Sequence, residues 1–185
     1  MSEAPDDGRD GTDAALIQRW QRGDERAATA IVGRHAQALA RYVVSLGERG
    51  EVDELVQDTF VRAFTSIDAF RGESTLRTWL FTIARRLVLD RRRAARRQPD
   101  RVSVADDDAI TEYDALDGVV AQETEQRVRA AVQRLTPTQR EVFSLRVSEG
   151  LSYRDIAEVV GSTEGAARVH YHNAMRAVKE YLSDD

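Results

Sequence analysis

Arg168, Tyr171, His172, Asn173 and Arg176 lie within nine residues of one another near the end of a 185-residue chain, and each side chain can donate a hydrogen bond. An arginine fork matches the two acceptors on the guanine edge, and an asparagine amide matches the donor–acceptor pair on adenine. Such donors can read bases only if one element presents them together. The surrounding stretch, 151–182, predicts that element. Ser152 can cap a helix, with Asp155 three residues on to reach back, and Ile156, Ala157, Val159 and Val160 form its apolar side. Gly161 can take the positive φ that ends it, and Ser162 or Thr163 can cap a second helix. In that second helix Ala166, Val169, Ala174 and Val178 are expected to face a core. A short helix, a glycine turn and a helix of exposed donors form the helix-turn-helix pattern, whose second helix enters a major groove. An ordinary helical hairpin fits the same pattern, so the rest of the chain has to decide.

Composition narrows the choice. Charged residues make up 32% of the chain, and the formal net charge of −5 argues weakly against a wholly basic nucleic-acid binder. The total hides two opposed blocks. Residues 85–97 hold seven Arg and one Asp, whereas 98–125 hold nine acidic residues and one Arg. A helix end so dense in arginine is a candidate phosphate-binding surface, because like charges at helical spacing repel unless a polyanion relieves them. The absence of cysteine leaves no disulfide framework and no thiolate metal site. No run of residues is long and apolar enough to span a membrane. Residues 1–12 are acidic, contain glycine and are almost without hydrophobes, which predicts a disordered tail rather than a signal peptide, with the cytoplasm as the expected location.

In chain order, Asp13 is expected to cap a helix over 14–22 with Leu16, Ile17 and Trp20 on one face. Gly23 breaks it and Asp24 caps the next, in which Ala27, Ala28, Ile31, Val32, Leu39, Tyr42, Val43 and Leu46 keep helical spacing. His35 reads as a surface or boundary residue of that helix. After a turn at 47–50, a third helix over about 52–67 carries Leu55, Val56, Phe60, Val61, Phe64 and Ile67 towards a core. Its polar side shows Asp53, Glu54, Gln57, Asp58 and Arg62. The loop 68–74 follows, and Ser74 or Thr75 caps a fourth helix with Leu76, Trp79, Leu80, Ile83, Leu87 and Val88 as apolar positions. Residues 99–118 are rich in Asp and lack periodicity; they read as a flexible acidic linker and a domain boundary. Beyond it, Val128, Ala131, Val132 and Leu135 mark a helix. Thr136-Pro137-Thr138-Gln139 then forms a capping box with proline at the first helical position, and Val142, Phe143, Leu145 and Val147 continue that helix. The expected fold is all-α, with four helices in each half and no strand.

With both halves in view, the sequence resembles the extracytoplasmic-function (ECF) sigma factors of RNA polymerase. The first half, with DELVQDTFVRAF, FRGES and TWLFTIARRLVLDRRR, is similar to sigma region 2. The second, LTPTQREVFSLRVSEGLSYRDIAEVVGSTEGAARVHYHNAMRAV, is similar to region 4. The resemblance covers about 13–182 apart from the linker. It implies a disordered tail at 1–12, a region 2-like helical bundle at 13–98, the acidic linker at 99–118, and a region 4-like helix-turn-helix domain at 119–185.

The function implied is to bind core RNA polymerase, direct it to particular promoters and promote DNA opening. By matching positions, Asp53, Glu54, Gln57, Asp58 and Arg62 would bind the β′ clamp. Phe70, Arg71, Gly72, Glu73, Ser74 and Thr75 would hold a base flipped out of the −10 element, which needs a pocket, donors and a stacking partner. Arg77, Trp79, Arg85, Arg86, Arg91, Arg92 and Arg93 would hold phosphates and the separating strands. In the second half, Ser162, Thr163, Glu164, Arg168, Tyr171, His172, Asn173 and Arg176 would meet the −35 element, and region 4 would also touch the β flap. Many members of the family have an inhibitory anti-sigma partner. Two positions depart from the family pattern: Arg86 stands where Asn is usual, and Asn173 where Arg is usual. The promoter sequence therefore does not carry over.

Two rival classes share some of these features. A LuxR-type helix-turn-helix regulator fits 135–182 nearly as well, but the first half shows helices and an aromatic-arginine loop where a receiver domain would alternate strands and helices. An enzyme would need a constellation that the sequence lacks. Its three histidines are His35, His170 and His172, and the last two lie two apart on a helix, which makes a poor metal pair. No glycine-rich phosphate loop or nucleophile elbow occurs. The expectation is no catalytic site, no metal and no cofactor.

Overall fold

A computed structural model describes residues 12–97 and 119–183, and among these every regular element is helical. The acidic linker and residues 1–11 of the expected N-terminal tail lie outside the described residues. The first half contains α1 (Asp13–Gln21), α2 (Glu25–Ser45), α3 (Val52–Thr65), a 3-10 turn at Ile67–Ala69 and α4 (Leu76–Arg97). The second contains α5 (Val119–Gln133), α6 (Pro137–Val147), α7 (Tyr153–Val160) and α8 (Glu164–Ser183). No described helix is long and apolar enough to cross a membrane.

Local signals set most helix ends. Asp24 accepts the Arg26 N–H and starts α2. Thr75 accepts the Thr78 N–H at the start of α4, and Thr163 accepts the Ala166 N–H at the start of α8. Thr136 and Gln139 form the expected reciprocal capping box, with Pro137 in the first turn of α6. The start of α1 departs from expectation. Thr12, not Asp13, caps it by accepting the Ala15 N–H. Asp13 turns instead to α2, where its carboxylate meets Arg34 at 2.7 Å and His35 at 3.1 Å. His35 is correspondingly buried rather than at the surface.

The first half packs as a bundle in which α2 touches α1, α3 and α4, and α3 lies along α4. Residues at helical spacing on α2 (Ala27, Ile31, Leu39, Tyr42 and Val43) are buried against Leu55 and Phe60 of α3 and Leu80, Phe81 and Val88 of α4. The Tyr42 and Phe81 rings meet at 4.9 Å in a tilted pair, and Trp20 of α1 reaches Phe64 at 5.1 Å. In the second half α8 packs on α5, α6 and α7. Two apolar positions do not face inward as their spacing suggested: Val61 is 56% exposed and Val169 58% exposed. Ala167, rather than Val169, turns to the core. The small side chains of Ala167 and Ala174 let α8 approach its neighbours closely, and the valine is left outside.

The halves also pack on each other. α6 and α7 lie against α2 and α4, and Val142, Leu145, Ile156 and Val159 belong to the same apolar cluster as Leu39, Tyr42, Leu80 and Phe81. A smaller cluster of Ala131, Leu135, Ala174 and Val178 joins α5 to α8.

Two outcomes test these local arguments. Gly161 ends α7 with φ +69°, a conformation that costs an L side chain roughly 1–2 kcal/mol, so Gly161→Ala should lower stability by about that amount in urea denaturation. The hydrogen bonds from His35 and Arg34 hold the Asp13 carboxyl below the ordinary carboxylate range, against the opposing effect of its partial burial. A carboxyl lowered on folding contributes stability that is full above its unfolded value and lost as pH falls through the folded one. Asp13→Asn should remove that increment at neutral pH, and the stability gap from the parent should close on acidification below the ordinary carboxylate range.

Candidate nucleic-acid and polymerase interfaces

The predicted residues fall into three surfaces. On α3, Leu55, Thr59, Phe60 and Ala63 are buried, which turns Asp53, Glu54, Gln57, Asp58 and Arg62 outward together. Val61 lies among them, one turn beyond Gln57. Its exposure puts an apolar side chain in the centre of a polar face.

The second surface spans the loop before α4 and the length of that helix. Arg71, Gly72 and Glu73 are exposed, and Gly72 takes φ +72°. Phe70 is half-buried because its ring packs on Trp79 at 5.2 Å. Ser74 is half-buried, and the hydroxyl of Thr75 is engaged with Thr78. The arginines of α4 differ in their partners. Arg86 is exposed, and Arg93 is exposed beside Asp90 at 3.1 Å. Arg91 instead pairs with Glu51 and lies 3.6 Å from Glu54. Arg92 binds Glu48 at 2.7 Å and the Leu46 carbonyl. The arginine run thus partly neutralises the acidic start of α3 and the turn that precedes it.

Arg77 and Arg85 face the second half of the chain. Arg85 donates to Glu141 at 2.7 Å, and Arg77 pairs with Glu149 while its guanidinium lies 5.6 Å from the centre of the Phe81 ring. Arg41 of α2 completes the cluster, donating through two nitrogens to the two oxygens of Glu149 at 3.0 and 3.1 Å. Tyr42 donates to Glu141 at 2.7 Å. Burial first, and then the neighbouring Glu141 carboxylate, raise the Tyr42 phenol well above its ordinary range, so it remains a donor. From the sequence, Tyr42 was named only for its helical spacing, and Arg41, Glu141 and Glu149 were not singled out. They are separated by about a hundred residues, and no local spacing links them.

The third surface is the outer side of α8. Ser162, Thr163, Glu164, Arg168, His172 and Arg176 are exposed on one side, while Ala167, Ala174 and Val178 are buried on the other. Arg168 is held at 2.9 Å by Glu164, and its guanidinium lies 5.1 Å from the centre of the Tyr153 ring. Asn173 is half-buried and accepts from Arg176 at 3.3 Å. Tyr171 is half-buried between Phe143, at 6.5 Å, and Tyr153, at 5.9 Å, so its ring supports the helix. No group of His, Asp and Glu among the described residues could hold a metal ion.

Comparison with known proteins finds a family match in each half of the chain. Residues 31–98 match sigma-70 region 2, and residues 125–178 match sigma-70 region 4. The chain is 30% identical over 180 residues to the ECF RNA polymerase sigma-E factor of Haemophilus influenzae, covering 92% of this chain and 95% of that protein. The sigma-E factor of Escherichia coli K12 is also 30% identical, over 179 residues, covering 90% and 92%. Among solved structures, CnrH in complex with the cytosolic domain of CnrY superposes with a TM-score of 0.66 at 28% identity, over 94% of this chain and 98% of that one. The sigma factor RpoE from Bartonella quintana, in complex with the anti-sigma factor NepR, gives 0.68 at 29% identity, over 85% and 97%. The region 2 match in the first half disfavours a LuxR-type regulator, whose likeness is confined to the second. With both regions matched in order and relatives aligned along nearly the whole length, the chain belongs to the sigma-70 family, as one of its promoter-directing ECF sigma factors.

Proposed function

We propose that the three surfaces divide the work of promoter recognition. The exposed side of α3, with Asp53, Glu54, Gln57, Asp58 and Arg62, docks on the β′ clamp of core polymerase. The loop 70–75 captures a flipped base of the −10 element, and Arg77, Trp79, Arg85, Arg86, Arg91, Arg92 and Arg93 guide the strands. The outer side of α8 lies in the major groove of the −35 element. The chain has no catalytic site or cofactor of its own and acts in the cytoplasm as a specificity subunit. By likeness to the complex with an anti-sigma factor, an inhibitory partner of that kind belongs to the same proposal.

The observation that carries this reading is the two-sidedness of α8. Ala167, Ala174 and Val178 fasten it to the domain, and Arg168, Val169, His172 and Arg176 are left to meet DNA. A helix presenting donors of this kind from a rigid seat suits direct readout.

Run-off transcription with purified core polymerase over a library of promoter sequences should yield sequence-selective initiation only when this chain is added. Asp58→Arg should abolish co-purification with core at unchanged helix content. On the selected −35 sequence, Arg168→Ala or Asn173→Ala should cost roughly 1–3 kcal/mol and relax preference at one base pair. Arg93→Ala should weaken binding to all promoters alike and lower the salt slope by about one.

A further inference from the structure

Glu141 and Glu149 are buried carboxylates in an interface between two parts of the chain, and both are held by arginines from the first half. Glu149 has no exposed side-chain surface and is gripped by Arg41 and Arg77. Glu141 is 7% exposed at its side chain and is gripped by Arg85, with Tyr42 donating beside it. A guanidinium fork binds a carboxylate and a phosphodiester through the same two-pronged geometry. The arginines keep 43%, 37% and 25% of their side-chain surface exposed for Arg41, Arg77 and Arg85, so they need not be rebuilt to turn to another anion. The pairing is also incomplete: Arg77 Nε is buried with no hydrogen-bond partner. A buried charge pair of this kind roughly offsets its own desolvation and is a weak lock, not a strong one.

We propose that Arg41, Arg77 and Arg85 form one seat for the phosphodiester backbone of a DNA strand, and that Glu141 and Glu149 occupy this seat in the free chain and hold it closed. The proposal rests on the assignment of Arg77 and Arg85 to DNA made above and adds Arg41 to them. Strand binding and closure then compete for the same three cations. The apparent affinity of the free chain for a strand is reduced by the fraction of molecules that are open, and any ligand that prefers the open form shifts the balance. Region 4 is in this way an inhibitor of region 2 within the same chain, using carboxylates where a promoter strand would bring phosphates.

The chain has no cysteine, so a fluorophore pair can be placed at Thr65→Cys on α3 and Glu158→Cys on α7 without background. The probe ligand is a mixed-sequence single-stranded DNA oligonucleotide at low salt, bound to the full chain without polymerase. Glu141→Gln/Glu149→Gln keeps side-chain shape and should lower energy transfer between the dyes. It should also tighten oligonucleotide binding by the reciprocal of the open fraction of the parent. Glu180→Gln, an exposed change outside the cluster, should do neither. Arg41→Gln should open the chain without tightening the oligonucleotide, since it removes a cation from the seat as well as from the lock. Tyr42→Phe, which leaves all charges in place, should open the chain in part and tighten binding in part.

The idea fails if the double glutamine variant remains closed, if it opens with no gain in strand binding, or if Glu180→Gln gives the same gain. It fails for Arg41 if Arg41→Gln binds the strand as tightly as the double variant. Transcription by the reconstituted holoenzyme reports separately on the function proposed above. Selective initiation together with an unmoved dye pair would reject the closed seat alone, and loss of all promoter-dependent initiation by the parent would reject that function.

Discussion

A carboxylate with no exposed side-chain surface, as at Glu149, is tolerable only where cations take the place of water. Arg41 and Arg77 meet that requirement from two different helices of the first half, and Arg85 with Tyr42 does the same for Glu141. Because both glutamates belong to the second half, their need for counter-charge fixes how α6 and α7 lie on α2 and α4. The apolar side chains around them, Val142, Leu145, Ile156 and Val159, then share one core with Tyr42, Leu80 and Phe81. Apolar burial supplies the non-directional attraction, and the ion pairs select the register.

The same constraint explains the uneven fate of the arginines along α4. The helix is apolar on the side that faces α2 and α3, where Leu80, Phe81, Ala84 and Val88 are buried. Its cations are distributed around the remaining sides. Arg77 and Arg85 meet Glu149 and Glu141, while Arg91 and Arg92 meet the acidic turn at Glu48 and Glu51. Arg86 is exposed, and Arg93 meets the exposed Asp90 on its own helix. A block of like charge that would strain an isolated helix is therefore relieved at several separate points. Each relief uses a group that a polyanion could replace.

The outer side of α8, proposed above to meet DNA, depends on a different balance. Small side chains at Ala167 and Ala174 bring the helix close to its supports, and Tyr171 is wedged between Phe143 and Tyr153. With Ala167, Ala174 and Val178 buried, the residues on the opposite side project together. Glu164 and the Tyr153 ring hold Arg168 in place before any ligand arrives, which lessens the side-chain freedom that binding would otherwise have to remove.

Helix type, helix ends and the likeness to sigma regions 2 and 4 were legible from residue order because their causes are local. The capping box at Thr136, the cap at Asp24 and the left-handed glycine at Gly161 each involve residues within one turn. Charge order along the chain showed the basic end of α4 and the exposed acidic face of α3. Spacing alone could not separate Val169 from Ala167, or Val61 from its apolar neighbours, because a wide apolar stripe has edges and only the packed partner decides where they fall. Nor could it place Asp13, which left a helix cap to meet Arg34 and His35 across the bundle. Least visible of all was the cluster at Glu141 and Glu149, whose partners are 56 to 108 residues away. Electrostatic pairing between buried groups depends on distance in space and on exclusion of water, and tertiary packing alone sets both.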